Sequence, residues 1–301
     1  MTKILTHITD VGAAAGNGID SSLRIEQQYA TLGQQARVIS AGHSPLHVAF
    51  AAMTRLAPAA GKRAEQVAAM LGQAALAQVP LALNSAPRNS ETSRPDGQEN
   101  YIYRLTGESI PTMLVYGQQV VAWVKSFAAG PIMAERVTSI SDIIPDTSRG
   151  SQFRSAEHLP IAHTLEVHEK LTQMATLEPA TIHDLSEGVL APGTVTVAPS
   201  DEYGNGRLVV TREMAEDILA RDTIQLPELT DHVITIRASL TEVVPGELSV
   251  WISSNYVPNP DIVVLNFGTR WSPGTTRSTD ERVLALQPIL ITRAGHAVRV
   301  E

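Results

Sequence analysis

The chain of 301 residues predicts an α/β half followed by a compact β-domain of sandwich or barrel type. Three observations predict it. Strand and helix signals alternate as far as about Ser186, the pattern of a parallel sheet built from crossover units. Beyond that point, short strand candidates recur at regular spacing with turn residues between them. The two characters meet in Ser186-Glu187-Gly188-Val189-Leu190-Ala191-Pro192, which sets the domains at 1–187 and 188–301.

In the first half, Ile4 to Ile8 reads as a buried strand, and Asp10-Val11-Gly12 follows it directly. An acidic residue and a glycine at the end of a buried parallel strand belong at the open edge of an α/β sheet, where ligands settle; ordinary turn chemistry uses the same residues. Ser21 to Leu32 reads as a helix capped by Asp20 or Ser21 and ended by Gly33. Arg37 to Ser40 is a second strand. Leu46, Phe50, Met53 and Ala57 recur at helical spacing before Pro58, and Lys62 to Ala77 repeats that behaviour. Val79 to Leu83 is an apolar strand that runs into the polar loop Asn84 to Glu99. Strands follow at Tyr101–Leu105 and Thr112–Tyr116, then an apolar run, Val120 to Phe127. A helix is expected from Pro160 to about Met174, with the proline in its first turn.

In the second half, strands are expected at Gly193–Val197, Arg207–Thr211, Val233–Leu240, Leu248–Ile252 and Ile262–Leu265, with two more near Pro288–Ile291 and Ala297–Val300. One helix signal lies at Arg212–Ala220. No repeat period or low-complexity tract is visible.

Composition excludes several functions. A net charge of -8 and a pI near 5.6 argue against a nucleic-acid partner, and 4% aromatic content offers no stacking platform for single strands. The chain has no cysteine, which removes disulfides, thiolate catalysis and Cys-based metal sites. The N-terminus lacks the apolar core of a signal peptide, and Ala74 to Leu83 is too short to span a bilayer. A soluble, cytoplasmic protein with no membrane partner is expected. There is no phosphate loop, no G-x-G-x-x-G opening a helix and no G-x-S-x-G elbow. His158, His163 and His168 recur at a spacing that rotates each by about 140° on a helix, so they do not share one metal. Asp201 to Gly206 resembles a calcium loop only until Arg212, where a liganding glutamate is needed; a hairpin turn explains its glycines. No metal is expected.

Taken in order, several short motifs resemble the S-adenosyl-L-methionine hydrolases (hydroxide adenosyltransferases) and their halogenase relatives, the fluorinase and chlorinase. Ile8-Thr9-Asp10-Val11-Gly12 is similar to that family's opening T-D-x-G. Val38 to Pro45, with the alanine-rich helix after it, resembles its second strand and helix. Phe153-Arg154-Ser155-Ala156-Glu157 is similar to the halogenases' F-x-S-x-E stretch. Glu202-Tyr203-Gly204-Asn205 resembles the aromatic-Gly-Asn turn that starts the family's C-terminal domain, and Ile252-Ser253-Ser254-Asn255-Tyr256 resembles its last binding loop. The resemblance is collinear and spans nearly the whole chain.

What the resemblance implies is a Rossmann-like α/β domain followed by a small β-barrel, assembled as a homotrimer with each site between neighbouring subunits. It also implies cleavage of S-adenosyl-L-methionine at ribose C5′ by water, or by halide, with no cofactor beyond that small-molecule nucleoside substrate. Asp10 would accept the ribose hydroxyls, and Asp20 and Ser21 would hold the amino-acid end. Ser155 would serve the nucleophile beside the apolar wall of Phe153. Tyr203, Asn205, Ser253 and Ser254 would take the adenine. The departures point the other way. Asn84 stands where the hydrolases carry a catalytic aspartate, and an amide is no general base. Arg154 replaces their histidine, Tyr116-Gly117-Gln118-Gln119 replaces a P-D-N-G loop, and Ser200 falls on another family aspartate. A catalytically degenerate nucleoside-binding or structural oligomer is the alternative.

Overall fold

The computed structural model describes residues 4–9, 18–41, 44–56, 79–85, 101–147, 154–182, 184–185, 188–198, 205–253, 256–269, 289–290, 293 and 295–301; for 18–21, 56, 154 and 155 it describes the backbone alone. The chain divides into two compact units, Met1–Leu185 and Ser186–Glu301. Among the described residues each holds a seven-stranded sheet, and together they make a mixed α/β fold.

The first unit begins β1 (Ile4–Thr9), α1 (Gly18–Thr31), β2 (Gln35–Ser40), α2 (Pro45–Leu56) and β3 (Leu81–Asn84). It continues β4 (Ile102–Gly107), β5 (Ile110–Tyr116), α3 (Gln118–Phe127), β6 (Met133–Ile140), α4 (Arg154–Val167), α5 (Leu171–Met174) and β7 (Ala175–Pro179). The sheet order is β2-β1-β3-β5-β4-β6-β7, with β2, β1, β3 and β5 mutually parallel. In the dinucleotide-binding order β1 neighbours β2 and the fourth strand; here it neighbours β2 and β3. The chain therefore leaves β1 in one direction and returns past it, and right-handed crossovers put α1 and α2 on opposite faces. α1 and α4 pack together over Leu5, Ala36 and Val38. α2 and α3 pack together on the other side, where Phe50 and Phe127 meet edge to face at 6.2 Å.

Local chemistry explains most of these boundaries. α1 stops where Gly33 takes φ +70, and Gln34 N donates to Tyr29 O at 2.9 Å. Pro45 starts α2, where its missing N–H costs nothing. The apolar run ending at Phe127 is a helix and no strand, because Val120, Val124 and Phe127 share one buried face. The helix expected from Pro160 begins earlier, at Arg154, and Pro160 lies inside it. Burial of Leu159, Ala162 and His163 holds the turn against the lost backbone bond. Expected helix 62–77 lies outside the described residues.

The second unit contains β8 (Thr194–Ala198), β9 (Gly206–Thr211), α6 (Arg212–Leu219), β10 (Thr223–Ile224), β11 (Ile234–Ile236), β12 (Ser249–Ile252), β13 (Ile262–Gly268) and β14 (Ala297–Arg299). The strand expected over 233–240 is thus only its first part, and Ile289 and Leu290 are helical where a strand was expected. The sheet runs β10-β11-β12-β13-β9-β8-β14. Its two edges are bridged just past β10 and β14, where Gln225 and Glu301 exchange backbone hydrogen bonds of 3.0 and 3.1 Å. That closure makes the sheet barrel-like. One face carries Val195, Val197, Leu208, Val210, Val250, Leu265 and Phe267, packed with Met214 and Ile218 of α6.

Candidate functional site at the carboxyl ends of the parallel strands

Parallel register aligns the last residues of four strands: Ser40 of β2, Thr9 of β1, Asn84 of β3 and Tyr116 of β5. The order reverses between β1 and β3, which makes this edge the kind of topological switch point at which open α/β sheets bind ligands. Thr9 and Asn84 are buried side by side there, and Asn84 Nδ2 donates to Thr9 Oγ1 at 3.1 Å. Asn84 Oδ1 has no hydrogen-bond partner among the described residues.

Two helices begin at the same edge. α1 ends beside the amino end of β2, so its first turn, with Asp20 and Ser21, lies toward the carboxyl edge. His163 of α4 meets Pro80 O, just before β3. Arg154 and Ser155 precede it by two and a half turns, about 13 Å at the helical rise, which matches the length of β3. The positive ends of two helix dipoles therefore converge on this edge and favour partial or full negative charge there.

Beneath the edge runs a chain of buried polar side chains. His163 Nε2 lies 2.9 Å from Pro80 O, His163 Nδ1 lies 2.7 Å from Tyr29 Oη, and Tyr29 Oη lies 3.2 Å from His7 Nδ1. All three rings are fully buried. Burial lowers His7 to about 3, with His163 adding to the effect, and lowers His163 to about 4. Both rings are neutral at pH 7, and burial raises the Tyr29 phenol. On the same sheet face Arg104 forks onto Glu166 of α4 with two bonds of 3.0 Å and reaches Glu135 at 3.0 Å. The Glu166 hydrogen bond is the main cause of the raised Arg104 pKa.

In the second unit, the sheet face opposite the apolar one carries a polar row. Arg207 of β9, Asn266 of β13 and Trp251 of β12 are lateral neighbours. Ser249 lies opposite Gly268 one step along. The Asn205 side chain lies over Gly268 so closely that a Cβ there would stand 2.5 Å from Asn205 Oδ1. Thr196 Oγ1, Ser249 Oγ and Asn266 Oδ1 are buried without a hydrogen-bond partner among the described residues.

Of the residues singled out from sequence, Asp10, Phe153, Tyr203 and Ser254 lie outside the described residues, as do the side chains of Asp20, Ser21 and Ser155. Asn84 sits at the strand-order reversal, immediately across from the residue before Asp10. Asn205 is half-buried, and Ser253 is buried with its N–H on Val264 O at 3.1 Å. His163 is a satisfied core histidine, and no group of residues able to hold a metal occurs among the described residues. Sequence reasoning missed His7 and Tyr29, and gave Thr9 no role beyond its place in the T-D-x-G resemblance. A histidine inside a strand, Ile4–Thr9, otherwise made of apolar residues and threonines was the available signal for His7; nothing in the spacing of residues 7, 29 and 163 joins them.

No family model and no curated protein matches the chain. Solved structures do. An uncharacterized conserved protein from Thermotoga maritima superposes with a TM-score of 0.56 at 12% identity, covering 99% of this chain and 100% of that one. A conserved hypothetical protein from Thermus thermophilus gives 0.53 at 12% identity, covering 99% and 100%. The fold is shared with both. Among the described residues, no helix is long and apolar enough to cross a membrane.

Proposed function

We propose that the chain is a divergent relative of the S-adenosyl-L-methionine hydrolases and halogenases, a Rossmann-like α/β domain followed by a β-barrel, that cleaves S-adenosyl-L-methionine at C5′ with water. The observation that carries this reading is the reversal of strand order between β1 and β3, at a strand end, Thr9, that Asp10 follows in sequence. In the proposed reaction the water oxygen bonds to C5′ and the C5′–sulfur bond breaks. Methionine leaves as a neutral thioether, and one proton passes to solvent. A neutral leaving group needs no acid, so the site has to orient the ribose, align the water and keep other water out. Asp10 holds the ribose in this reading, Ser155 serves the nucleophile and the two helix N-termini favour its developing negative character. Asn84 orients and does not deprotonate.

A second reading has one specific observation in its favour. The Asn84 amide is committed to Thr9 in a buried contact, which suits a nucleoside-binding protein that has lost its base. Incubation with S-adenosyl-L-methionine, with chromatography for adenosine, and repetition with chloride and fluoride, separates the two. Adenosine release supports the hydrolase. Calorimetric binding without turnover, unrescued by Asn84→Asp, selects the binding protein. Neither product nor binding removes both. Light scattering reads the homotrimer that the resemblance carries.

A further inference from the structure

The chain Pro80–His163–Tyr29–His7 has only one consistent arrangement of hydrogens. The Pro80 carbonyl can only accept, so His163 Nε2 carries the hydrogen and donates. A neutral ring has one N–H, which leaves a lone pair on His163 Nδ1 to accept from the Tyr29 hydroxyl. The Tyr29 oxygen then accepts from His7 Nδ1–H. His7 Nε2 is left as a bare acceptor, fully buried and without a partner among the described residues. One strand away, Asn84 stands in the same condition: its Nδ2 is spent on Thr9, and Oδ1 is a buried acceptor with no partner there.

The two acceptors share a face of the sheet. His7 pairs with Ala82 and Thr9 with Asn84, so His7 and Asn84 are diagonal neighbours on parallel strands, one strand across and two residues along, roughly 8 Å apart and within reach of one bridging group. We propose that His7 Nε2 and Asn84 Oδ1 form a binding site for a small neutral hydrogen-bond donor, on the α1 side of β1 and β3. An anion would face two lone pairs. A cation would find no carboxylate among Thr9, His7, Tyr29, Asn84 and His163 to offset its desolvation. A group with two hydrogens matches both acceptors and relieves the desolvation that each would otherwise bear unpaired. The donor is an O–H, either of a trapped water or of a bound nucleoside. The site does not rest on the C5′ chemistry, and it stands if no turnover is found.

Selective ¹⁵N-histidine labelling and long-range ¹⁵N–¹H correlation spectra test it, with His7→Asn and His163→Asn to assign the signals. The expected result is His163 as the Nε2–H tautomer and His7 as the Nδ1–H tautomer, with His7 Nε2 shifted from the position of a free imine nitrogen toward that of a hydrogen-bonded one. That shift in the ligand-free protein identifies water; its appearance only on adding adenosine identifies a ligand hydroxyl. Asn84→Ala is expected to move His7 Nε2 and leave Nδ1 in place. An Nε2–H tautomer at His7, or a free imine position with and without adenosine, overturns the site. An Nε2 indifferent to Asn84→Ala overturns its shared character. The wild-type spectra decide the first question even if the variant does not fold.

Discussion

The two sheets bury polar groups in opposite ways. The first unit strings His163, Tyr29 and His7 into one chain anchored on a backbone carbonyl, so each link fixes the next. The second unit spreads Thr196, Ser249 and Asn266 over separate strands of one face, opposite an apolar face packed on α6. A chain fails as a unit when one link goes, whereas dispersed groups fail one at a time. The first unit should therefore respond steeply to protonation and to single deletions, and the second weakly.

Lowering the pH gives the largest contrast. Both buried histidines titrate below their ordinary 6.5 when folded, His7 at about 3 and His163 at about 4, so the unfolded chain takes up protons first as pH falls. Their contribution is full above about pH 6.5 and is lost progressively on the way down to those values, at roughly 1.4 kcal/mol per pH unit for each ring. Between pH 7 and 5 the first unit should lose about 4 kcal/mol. The described histidines of the second unit, His232 and His296, are exposed. Hydrogen exchange read on peptides from β1 and β3 against those from β9 and β13 measures the difference; equal loss of protection in both would refute it.

Tyr29→Phe comes next. It leaves His163 Nδ1 and His7 Nδ1 buried without their shared partner, at an expected cost of about 3 kcal/mol, read as faster exchange in β1. Glu166→Gln ranks third. It removes the carboxylate forked by Arg104, whose exposures are 10% and 19%, and should cost about 2 kcal/mol. Asp217→Asn in the second unit breaks the exposed pair with Arg221 and should cost no more than about 0.5 kcal/mol. If the two substitutions proved equal in chemical denaturation, burial would not be what separates the units.

The same contrast explains what the sequence revealed. Alternation along Thr194–Ala198, the short apolar run Val250–Ile252 and helical periodicity along Leu46–Met53 are local patterns, and local patterns can be read without knowing the partner. Gly33 announced its turn for the same reason. β6 and β7 were missed because Met133–Ile140 and Ala175–Pro179 lie at the antiparallel end of the sheet with mixed burial and no clean alternation. The start of α4 was missed because Pro160 imitates a first turn while tertiary packing, not propensity, carries the helix through it. At the site, Asn84 was visible through the resemblance, but its commitment to Thr9 depends on a register between β1 and β3 that no single segment encodes. Within the His7–Tyr29–His163 chain, directly bonded residues stand up to 134 positions apart, and only the packing of α1 on α4 creates it.

A substitution that separates stability from binding sharpens the comparison most. Gly268 has no side chain where the Asn205 amide lies, and a Cβ would meet Oδ1 at 2.5 Å, Cγ at 3.2 Å and Asn205 Cβ at 3.3 Å. The nearest atom is the end of a side chain, so Gly268→Ala can be accommodated by swinging the amide aside. The strand itself gains from losing a glycine, and the net change should be under about 1 kcal/mol. Binding behaves differently. If Asn205 helps to take an adenine, moving its amide removes the hydrogen bond to the base, and calorimetry should show adenosine affinity falling roughly tenfold at unchanged hydrogen exchange. An equal loss of both would mean that Asn205 packs the barrel and reads no base. Unchanged affinity with unchanged stability would assign the polar face of the second unit no part in nucleoside recognition.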